Sequence, residues 1–242
     1  MEPRFVHLHV HSEYSLVDGL ADIKSLVRAT ARAGMGAVAV TDRSALFSMV
    51  RFYRTALTEG VKPVVGVDIW LRNPADPAKP DQAVILVQSE RGYHNLTRLV
   101  SRSYRENQHL GRALLEPEWL WQAHDGLIVL SGGREGDVGR LLVSGHAAEA
   151  ERALDRWLAA FGDRYYLELV RTGREHEEAY LQAAVALAAA KGVPVVASND
   201  VRFLRPEDFQ AHEVRVCIHD GRTLDDPRRP RLYSEQQYLR SL

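Results

Sequence analysis

Short runs of apolar and β-branched residues alternate along the chain with longer segments in which apolar residues recur at helical spacing. The apolar runs predict seven strands, over residues 5–10, 37–41, 62–67, 83–88, 127–130, 165–169 and 193–197. The segments of helical spacing predict helices over residues 20–33, 46–59, 92–105, 117–122, 147–161, 175–191 and 206–217. This alternation is typical of successive βα units around a parallel sheet.

Glycine and proline mark where these elements end. Gly34, Gly60 and Gly192 each follow a helical segment and precede an apolar run, a position where helices commonly end on a left-handed residue. Segment 72–81 contains three prolines and no apolar pattern, which predicts a surface loop between two adjacent strands rather than a domain linker.

The last residues carry a helix-start signal. Ser234 and Gln237 have the spacing of a capping box, so we expect a helix to begin at Ser234. Fewer residues follow than the roughly 12 to 15 that make an isolated helix marginally stable. We therefore predict one barrel domain over residues 1–222, and over 223–242 an extended tail with a truncated helix that leads toward further domains.

Composition restricts the class of protein. A chain of 242 residues with 45% hydrophobic residues can bury one sizeable core. Lysine and arginine total 31 against 32 acidic residues, so the net charge of −1 supplies no global field for a polyanion. Cys217 is the only cysteine, which excludes a disulfide framework within one chain. Without a signal peptide or an apolar run of about 18 residues, we expect a cytoplasmic location and no membrane span.

Three histidines alternate on the first predicted strand. His7, His9 and His11 are two residues apart, so their side chains share one face of a strand. Imidazoles are preferred ligands of zinc, manganese and iron, and Glu13 or Asp18 in the following loop would complete a site. The alternative is that exposed strand histidines simply titrate near neutral pH.

Acidic residues follow several other predicted strands. Asp42, Asp68 and Asp200 come at strand ends, and the active sites of parallel barrels occupy the face where the strands end. For Asp42 alone, a role as the N-cap of the next helix is an equal alternative.

Several long blocks resemble, in order and over nearly the whole chain, the PHP (polymerase and histidinol phosphatase) domain of bacterial DNA polymerase III alpha subunits. They are FVHLHVHSEYSLVDG, VAVTDRSALFSMVRFY, KPVVGVDI, GYHNLTRLVSRSY, GLIVLSGG, FGDRYYLELVRTG, VVASNDVRFL and DFQAHEVRVCIHDGRTLDDP. The resemblance implies an α/β fold, a distorted seven-stranded TIM-like (βα) barrel. Active members of the family carry a cluster of metal ions that hydrolyses phosphate esters.

The resemblance also implies which metal ligands remain. The family's ligand positions fall on His9, His11, Asp18 and Asp200, while Asp68 replaces a glutamate and reaches one methylene less far. Five further ligand positions are lost. They carry Arg43, Ala83, Gly133, Thr172 and Arg202.

Two of these losses change the sign of the charge. A guanidinium is always protonated and has only donors, so Arg43 and Arg202 cannot bind a cation and would repel one. We therefore expect no multi-metal hydrolysis, and expect these arginines to replace the metals by pairing with Asp18, Asp68 or Asp200. At most one divalent ion, zinc, manganese or magnesium, would remain on His9, His11 and a carboxylate.

The functional expectation is a noncatalytic domain of a DNA-directed DNA polymerase. As the resemblance implies, it stabilises the alpha subunit and offers a docking surface to the separate proofreading exonuclease subunit, and it meets DNA only through the holoenzyme. The alternative is a metal-dependent phosphoesterase or 3′ to 5′ exonuclease. A free-standing phosphatase of the same superfamily is a third reading, which the tail disfavours.

Overall fold

The computed structural model describes residues 5–241, and their contacts divide them into two compact units. The first unit comprises residues 5–65, 172–174 and 198–241, and the second comprises residues 66–171 and 175–197. None of the helices in these described residues combines the length and apolar character needed to cross a bilayer.

The first unit is built on a short parallel strand pair. Strand β1 (Ala37–Val40) pairs in parallel with the first residues of β2 (Lys62–Leu71). Helices α1 (Ile23–Arg32) and α2 (Met49–Thr58) pack against each other, and α8 (Phe209–Asp220) also belongs to this unit. The buried apolar core consists of Val10, Ile23, Leu26, Val27, Val38, Val40, Phe52, Ala56, Val61 and Val201.

The predicted first strand, over residues 5–10, was wrong as a regular strand. The segment is extended and makes only an isolated parallel bridge, Val10 with Val201, although its carbonyls accept bonds from both neighbours. The amide of Val10 donates instead to the side chain of Thr41 at 2.9 Å, and that hydroxyl donates back to the carbonyl of Val10 at 3.1 Å. A side chain thus replaces the backbone acceptor that a regular ladder would supply at this point.

The second unit contains most of the strands and helices. Its strands are the rest of β2, β3 (Asp81–Val87), β4 (Gln108–His109), β5 (Arg112–Leu115), β6 (Leu127–Leu130), β7 (Tyr165–Val170) and β8 (Val195–Ser198, of which the last residue belongs to the first unit). Its helices are α3 (Glu90–Glu106), α4 (Pro117–Gln122), α5 (Asp137–Val143), α6 (Ala147–Phe161) and α7 (Glu177–Lys191).

The strands form a mixed sheet and not the purely parallel one that the alternation suggests. The eight strands of the described chain run in the order β4-β5-β2-β3-β6-β7-β8, with β1 on β2. Strand β3 is antiparallel to both β2 and β6. The reason lies in the proline-rich loop over residues 72–81, because a strand that follows without a crossover helix returns antiparallel to its predecessor.

Most predicted helices are present, and their ends confirm the glycine signals. Helices α4 and α6 begin and end at the predicted residues. Gly34, Gly60 and Gly192 have φ values of +71°, +70° and +67°, as left-handed residues after a helix should. The patterns did not predict α5 or the hairpin of β4 and β5.

The helix predicted to begin at Ser234 was wrong. Hydrogen bonds of the capping type do form. The backbone amide of Ser234 donates to Oε1 of Gln237 at 3.0 Å, and Oγ of Ser234 accepts from the backbone amide of Gln236 at 3.3 Å. They close a single turn, after which Tyr238 forms a parallel bridge with Phe203. Pairing with an extended neighbour therefore takes the place of a second helical turn.

One buried acid in the second unit makes stability depend on pH. Burial of Asp81, reinforced by Asp137 and Glu135, raises the pKa of its carboxyl to about 7 despite Arg140, whose Nε lies 3.4 Å away. A raised folded pKa gives stability that is complete below the unfolded value of about 4 and is lost as the pH rises through 7. We expect Asp81→Asn to be stabilising relative to the wild type at pH 8 and much less so at pH 5.

Thermal unfolding at both pH values measures this effect. The matched control is Asp163→Asn, which changes an exposed aspartate and should leave the difference between pH 5 and pH 8 as in the wild type. A stability difference between Asp81→Asn and the wild type that is the same at both pH values would contradict the assignment.

Candidate functional site

His9 and His11 are brought together, whereas His7 is not part of the pair. The two Nε2 atoms of His9 and His11 lie 3.3 Å apart, and both rings are buried. His7 is also buried, but its Nε2 donates to the backbone carbonyl of Arg240 at 3.0 Å. Of the three alternating histidines, only two are therefore arranged to act on a common partner.

A carboxylate lies within ion-pair distance of each histidine of the pair. Oδ1 of Asp200 is 3.5 Å from Nε2 of His9, and Oδ1 of Asp18 is 3.6 Å from Nδ1 of His11. Nδ1 of His11 is also 2.9 Å from Oγ of Ser15. Four of the predicted ligand positions thus lie in one cluster within the first unit.

Arg202 bridges the two carboxylates of this cluster. Its Nη1 is 2.5 Å from Oδ2 of Asp18, and its Nη2 and Nε lie 2.6 and 2.8 Å from Oδ1 of Asp200. All three side chains are at most 7% exposed. The planar guanidinium fork therefore binds both acids at once, an arrangement suited to arginine and not to lysine. We call Arg202, Asp18 and Asp200 the arginine–carboxylate cluster.

Further donors bind the carboxylate oxygens of this cluster. Nη1 of Arg174 lies 3.1 Å from Oδ2 of Asp200, and the side-chain amide of Gln237 donates to the same oxygen at 2.8 Å. The hydroxyl of Tyr233 donates to Oδ2 of Asp18 at 3.0 Å. Residues of the C-terminal tail thus complete a site that begins near residue 9.

Arg43 and His212 contact the cluster more loosely. Nη2 of Arg43 is 4.0 Å from Oδ2 of Asp18, and the backbone amide of Arg43 donates to Ser15. His212 is fully buried and donates through Nε2 to the carbonyl of Asp18 at 3.1 Å. Burial, helped by Arg202, lowers the pKa of His212, which favours the neutral ring.

The charges fix the ionisation of both acids. Burial alone would raise the pKa of Asp18, but Arg202, His11 and Arg43 outweigh it and hold this pKa at about 2. For Asp200, burial is again opposed, first by Arg202 and then by His9 and Arg174, and the pKa lies well below the ordinary value. Both groups are therefore carboxylates at neutral pH.

The backbone at Asp200 is held in an uncommon conformation. Its φ of +44° is in the left-handed region, which residues other than glycine adopt at a cost, although aspartate tolerates it better than most. The backbone carbonyl of Asp200 accepts a hydrogen bond from the side-chain amide of Gln237 at 3.2 Å. The contacts with Arg202 and the tail therefore stabilise a turn that aims the carboxylate into the cluster.

Asp42 has a different role from the two that its position suggested. Its Oδ1 accepts from the amide of Ser12 at 2.7 Å and from Oγ of Ser15 at 3.0 Å, and Oδ2 accepts from Oγ of Ser48 at 2.6 Å. The hydroxyl of Ser12 also reaches both oxygens. Helix α2 begins at Met49 with no side-chain cap, so Asp42 is not its N-cap. It is the acceptor that joins the loop of Ser12 and Ser15 to the turn at Ser48.

Sequence reasoning found some site residues and missed others. Asp68 is fully buried on β2 in the second unit. The missed residues are Arg174, Tyr233, Gln237 and His212. Arg174 follows the Thr172 position already recognised as altered, so a search for cations near lost ligands would have found it. No local signal marks Tyr233 or Gln237, because their partners lie 215 and 37 residues away.

The donor set does not fit a multi-metal centre. The oxygens that would bind the ions, both of Asp200 and Oδ2 of Asp18, already accept bonds from guanidinium, side-chain amide or hydroxyl donors. A second positive charge near Arg202 would be repelled, and its entry would leave the buried guanidinium without its partners. Within the first unit, the Nε2 atoms of His9 and His11 keep a separation of 3.3 Å that a single ion would accept.

A comparison with protein families decides the relationship. The model of the PHP domain family matches residues 7–172, more than half of the chain. The chain belongs to the PHP domain family. The expected α/β PHP fold is thereby confirmed.

Its curated relatives include alpha subunits of DNA polymerase III. The PHP domain is 50% identical over 241 residues to the DNA polymerase III subunit alpha of Pseudomonas aeruginosa, which covers 100% of this chain and 20% of that protein. It is 50% identical over 240 residues to the same subunit of Escherichia coli K12, with 99% and 21% covered. The chain thus spans about one fifth of the length of the curated relatives it matches.

Solved structures share the fold at low identity. A candidate metal-dependent phosphoesterase from Bifidobacterium adolescentis has a TM-score of 0.54 and 11% identity, covering 83% of this PHP domain and 88% of that chain. An amidohydrolase from Chromobacterium violaceum, solved with bound sulfate and no metal, has a TM-score of 0.55 and 13% identity, covering 87% and 96%. These likenesses establish the fold and nothing about the reaction.

Proposed function

We propose that this chain is the N-terminal PHP domain of a replicative DNA polymerase III alpha subunit and that it acts there as a noncatalytic structural domain. The observation that carries the proposal is the bridge of Arg202 between Asp18 and Asp200. A fixed internal cation takes over the charge compensation that metal ions give in active members of the family.

The second part of the proposal concerns the tail. Tyr233 and Gln237 donate to the two carboxylates that Arg202 bridges, so the former metal site anchors the segment that leads toward later domains. Arg229 supports this anchor through an ion pair with Glu213 of α8, both side chains being 9% exposed. In this proposal the site no longer hydrolyses a substrate and instead holds the C-terminal segment in place.

The proposed partners follow from membership in a polymerase subunit. The remaining domains of the alpha subunit are the first partner, since the relatives are about five times as long as this chain. The proofreading exonuclease subunit of the replicase is the second, and DNA is met only through the holoenzyme. DNA-directed DNA polymerase activity belongs to the whole polypeptide. Capture of the purified exonuclease subunit by this chain tests the second partner directly.

The absence of hydrolysis is directly testable. We expect no turnover of labelled single-stranded DNA or of a chromogenic phosphate ester, with either zinc or manganese, above the level of a His9→Ala variant. The reason is that the carboxylates needed for a pair of ions about 3.5 to 4 Å apart are held by Arg202. The matched control is His94→Ala, which removes an exposed histidine on α3. Turnover that His9→Ala abolishes and His94→Ala retains would refute the proposal.

A single-ion phosphoesterase or 3′ to 5′ exonuclease is the second candidate. Two nitrogens bound to one tetrahedral zinc at about 2.0 to 2.1 Å lie about 3.3 Å apart, and the Nε2 atoms of His9 and His11 have that separation. Elemental analysis of the purified chain distinguishes the candidates. One equivalent of zinc, manganese or magnesium that is lost in His9→Ala and kept in His94→Ala would favour the second candidate.

A further inference from the structure

The outer face of α2 carries an exposed apolar stripe. Val50, Tyr53 and Leu57 are 57%, 47% and 59% exposed, and their spacing of three or four residues places them on one side of the helix. Phe47, which is 70% exposed, lies in the turn just before the helix begins. Single exposed apolar residues are ordinary on a protein surface, but four large ones in a continuous row are not. We call these four residues the α2 stripe.

The stripe is not needed for folding of its own unit. Helix α2 already buries Phe52 and Ala56, on the opposite side, in the apolar core of the first unit. Burial of a Phe or Leu side chain is worth about 1.5 to 3 kcal/mol, so leaving four such residues in water forgoes a large stabilisation. Apolar surface patches of a few hundred Å² are often functional.

The size of the stripe indicates what covers it. One aromatic side chain presents about 150 to 250 Å², so four partly exposed residues give on the order of 400 Å² of apolar surface. A stable complex of separate proteins buries about 800 Å² on each partner. A tethered partner needs less, because a covalent link supplies an effective concentration in the millimolar range.

An arginine beside the stripe further defines the surface of the partner. Arg54 is exposed between Val50 and Leu57, and within residues 5–241 it forms no ion pair. Arg51 beside it is paired with Glu13 and Asp22 at 3.5 and 3.7 Å. A complementary surface is therefore apolar with a carboxylate opposite Arg54.

The route of the chain is compatible with an intramolecular contact. Leu239, near the end of the described residues, packs on the same apolar core as the inner face of α2. Its amide donates to the carbonyl of Phe203 at 3.1 Å, which fixes this part of the tail to the first unit. The polypeptide thus passes the core that supports the stripe.

We infer that the α2 stripe docks an apolar, carboxylate-bearing face of the later domains of the same polypeptide. This inference rests on the proposed function, since it needs a chain that continues as in the relatives of about five times this length. It is independent of whether the arginine–carboxylate cluster is catalytic.

Cysteine labelling of the complete polypeptide tests the inference. Val50→Cys introduces a reporter in the stripe, and within this region the only native cysteine, Cys217, is buried. We expect a maleimide to label Val50→Cys rapidly in the 242-residue chain and about tenfold or more slowly in the complete polypeptide. Ser101→Cys, on the exposed side of α3, is the matched control and should react rapidly in the short chain.

A charge substitution provides the second readout. Leu57→Asp should leave the melting temperature of the 242-residue chain unchanged within error and should restore rapid labelling of Val50→Cys in the complete polypeptide. Thr58→Asp, at an exposed position outside the stripe, should leave the protection intact.

Three outcomes would overturn the inference. They are equal labelling in both polypeptides, protection that appears only after the exonuclease subunit is added, and a concentration-dependent dimer of the 242-residue chain that protects Val50→Cys. Metal-dependent turnover would count against the proposed noncatalytic role but would leave the labelling result unaffected, so the two failures are distinguishable.

Discussion

Replacing Arg202 by alanine is expected to lower the melting temperature by on the order of 10 °C. The substitution leaves the carboxylates of Asp18 and Asp200 buried without the guanidinium that bridges them. Removing one partner of a buried ion pair costs about 3 to 5 kcal/mol, because the remaining charge is uncompensated. For a chain of this length each kcal/mol corresponds to about 2 to 4 °C. Calorimetry or circular dichroism on heating measures the shift.

Two companion variants separate lost charge compensation from lost packing. Arg171→Ala removes an arginine whose partner, Glu178, is also exposed, and exposed pairs contribute about 0 to 1 kcal/mol. Asp18→Asn and Asp200→Asn, added together to Arg202→Ala, should recover a large part of the loss, because the two buried carboxylate charges are then removed. An Arg202→Ala protein that melts like Arg171→Ala would exclude a structural role for the cluster.

The pH dependence of the same variant carries a definite sign. The folded pKa of Asp18 is lowered to about 2, so its contribution to stability is present above the unfolded value of about 4 and is lost as the pH falls toward 2. In Arg202→Ala the effect of burial, which raises this pKa, is no longer opposed by the bridging cation. The difference in stability between wild type and variant should therefore shrink as the pH falls below about 4.

The sequence predicted the helices whose periodicity and end signals lie within their own residues. Helix α6 has the predicted ends because its buried side repeats at helical spacing and Gly162, with φ of +56°, follows it. The hairpin of β4 and β5 was missed because its turn, Leu110 and Gly111, has positive φ at both residues without the asparagine or aspartate that usually signals such a turn. Leucine at that position gives no sequence cue.

The site was predictable in its residue types but not in its connections. The loss of imidazoles at positions 43 and 202 indicated which residues had changed chemistry. That Arg202 reaches Asp18 across 184 positions and Asp200 across two is a property of the fold. The run from Asp225 to Arg231 is charged and proline-rich, which predicts an extended, departing tail and does not reveal the contacts of Tyr233 or Gln237.

Replacing Asp42 by alanine is expected to destabilise the chain by about 3 kcal/mol or more. Asp42 is 1% exposed and accepts bonds from the amide of Ser12 and from the hydroxyls of Ser12, Ser15 and Ser48. Leaving one buried donor unsatisfied costs about 1 to 3 kcal/mol. The hydroxyls can turn to other acceptors, whereas the backbone amide of Ser12 has a fixed direction and loses its acceptor outright.

Asp42→Asn separates hydrogen bonding from side-chain volume. The amide oxygen can still accept from Ser12, and serine hydroxyls can accept from the new NH₂ group, so we expect a loss of about 1 kcal/mol, well below that of Asp42→Ala. Urea unfolding measures both values, with Asp163→Ala as the exposed control. Because Ser15 also contacts His11 and the amide of Arg43, loosening Asp42 should disturb the histidine pair as well. Equal losses for the alanine and asparagine variants would show that Asp42 acts through packing and not as the acceptor that joins the loops beneath the arginine–carboxylate cluster.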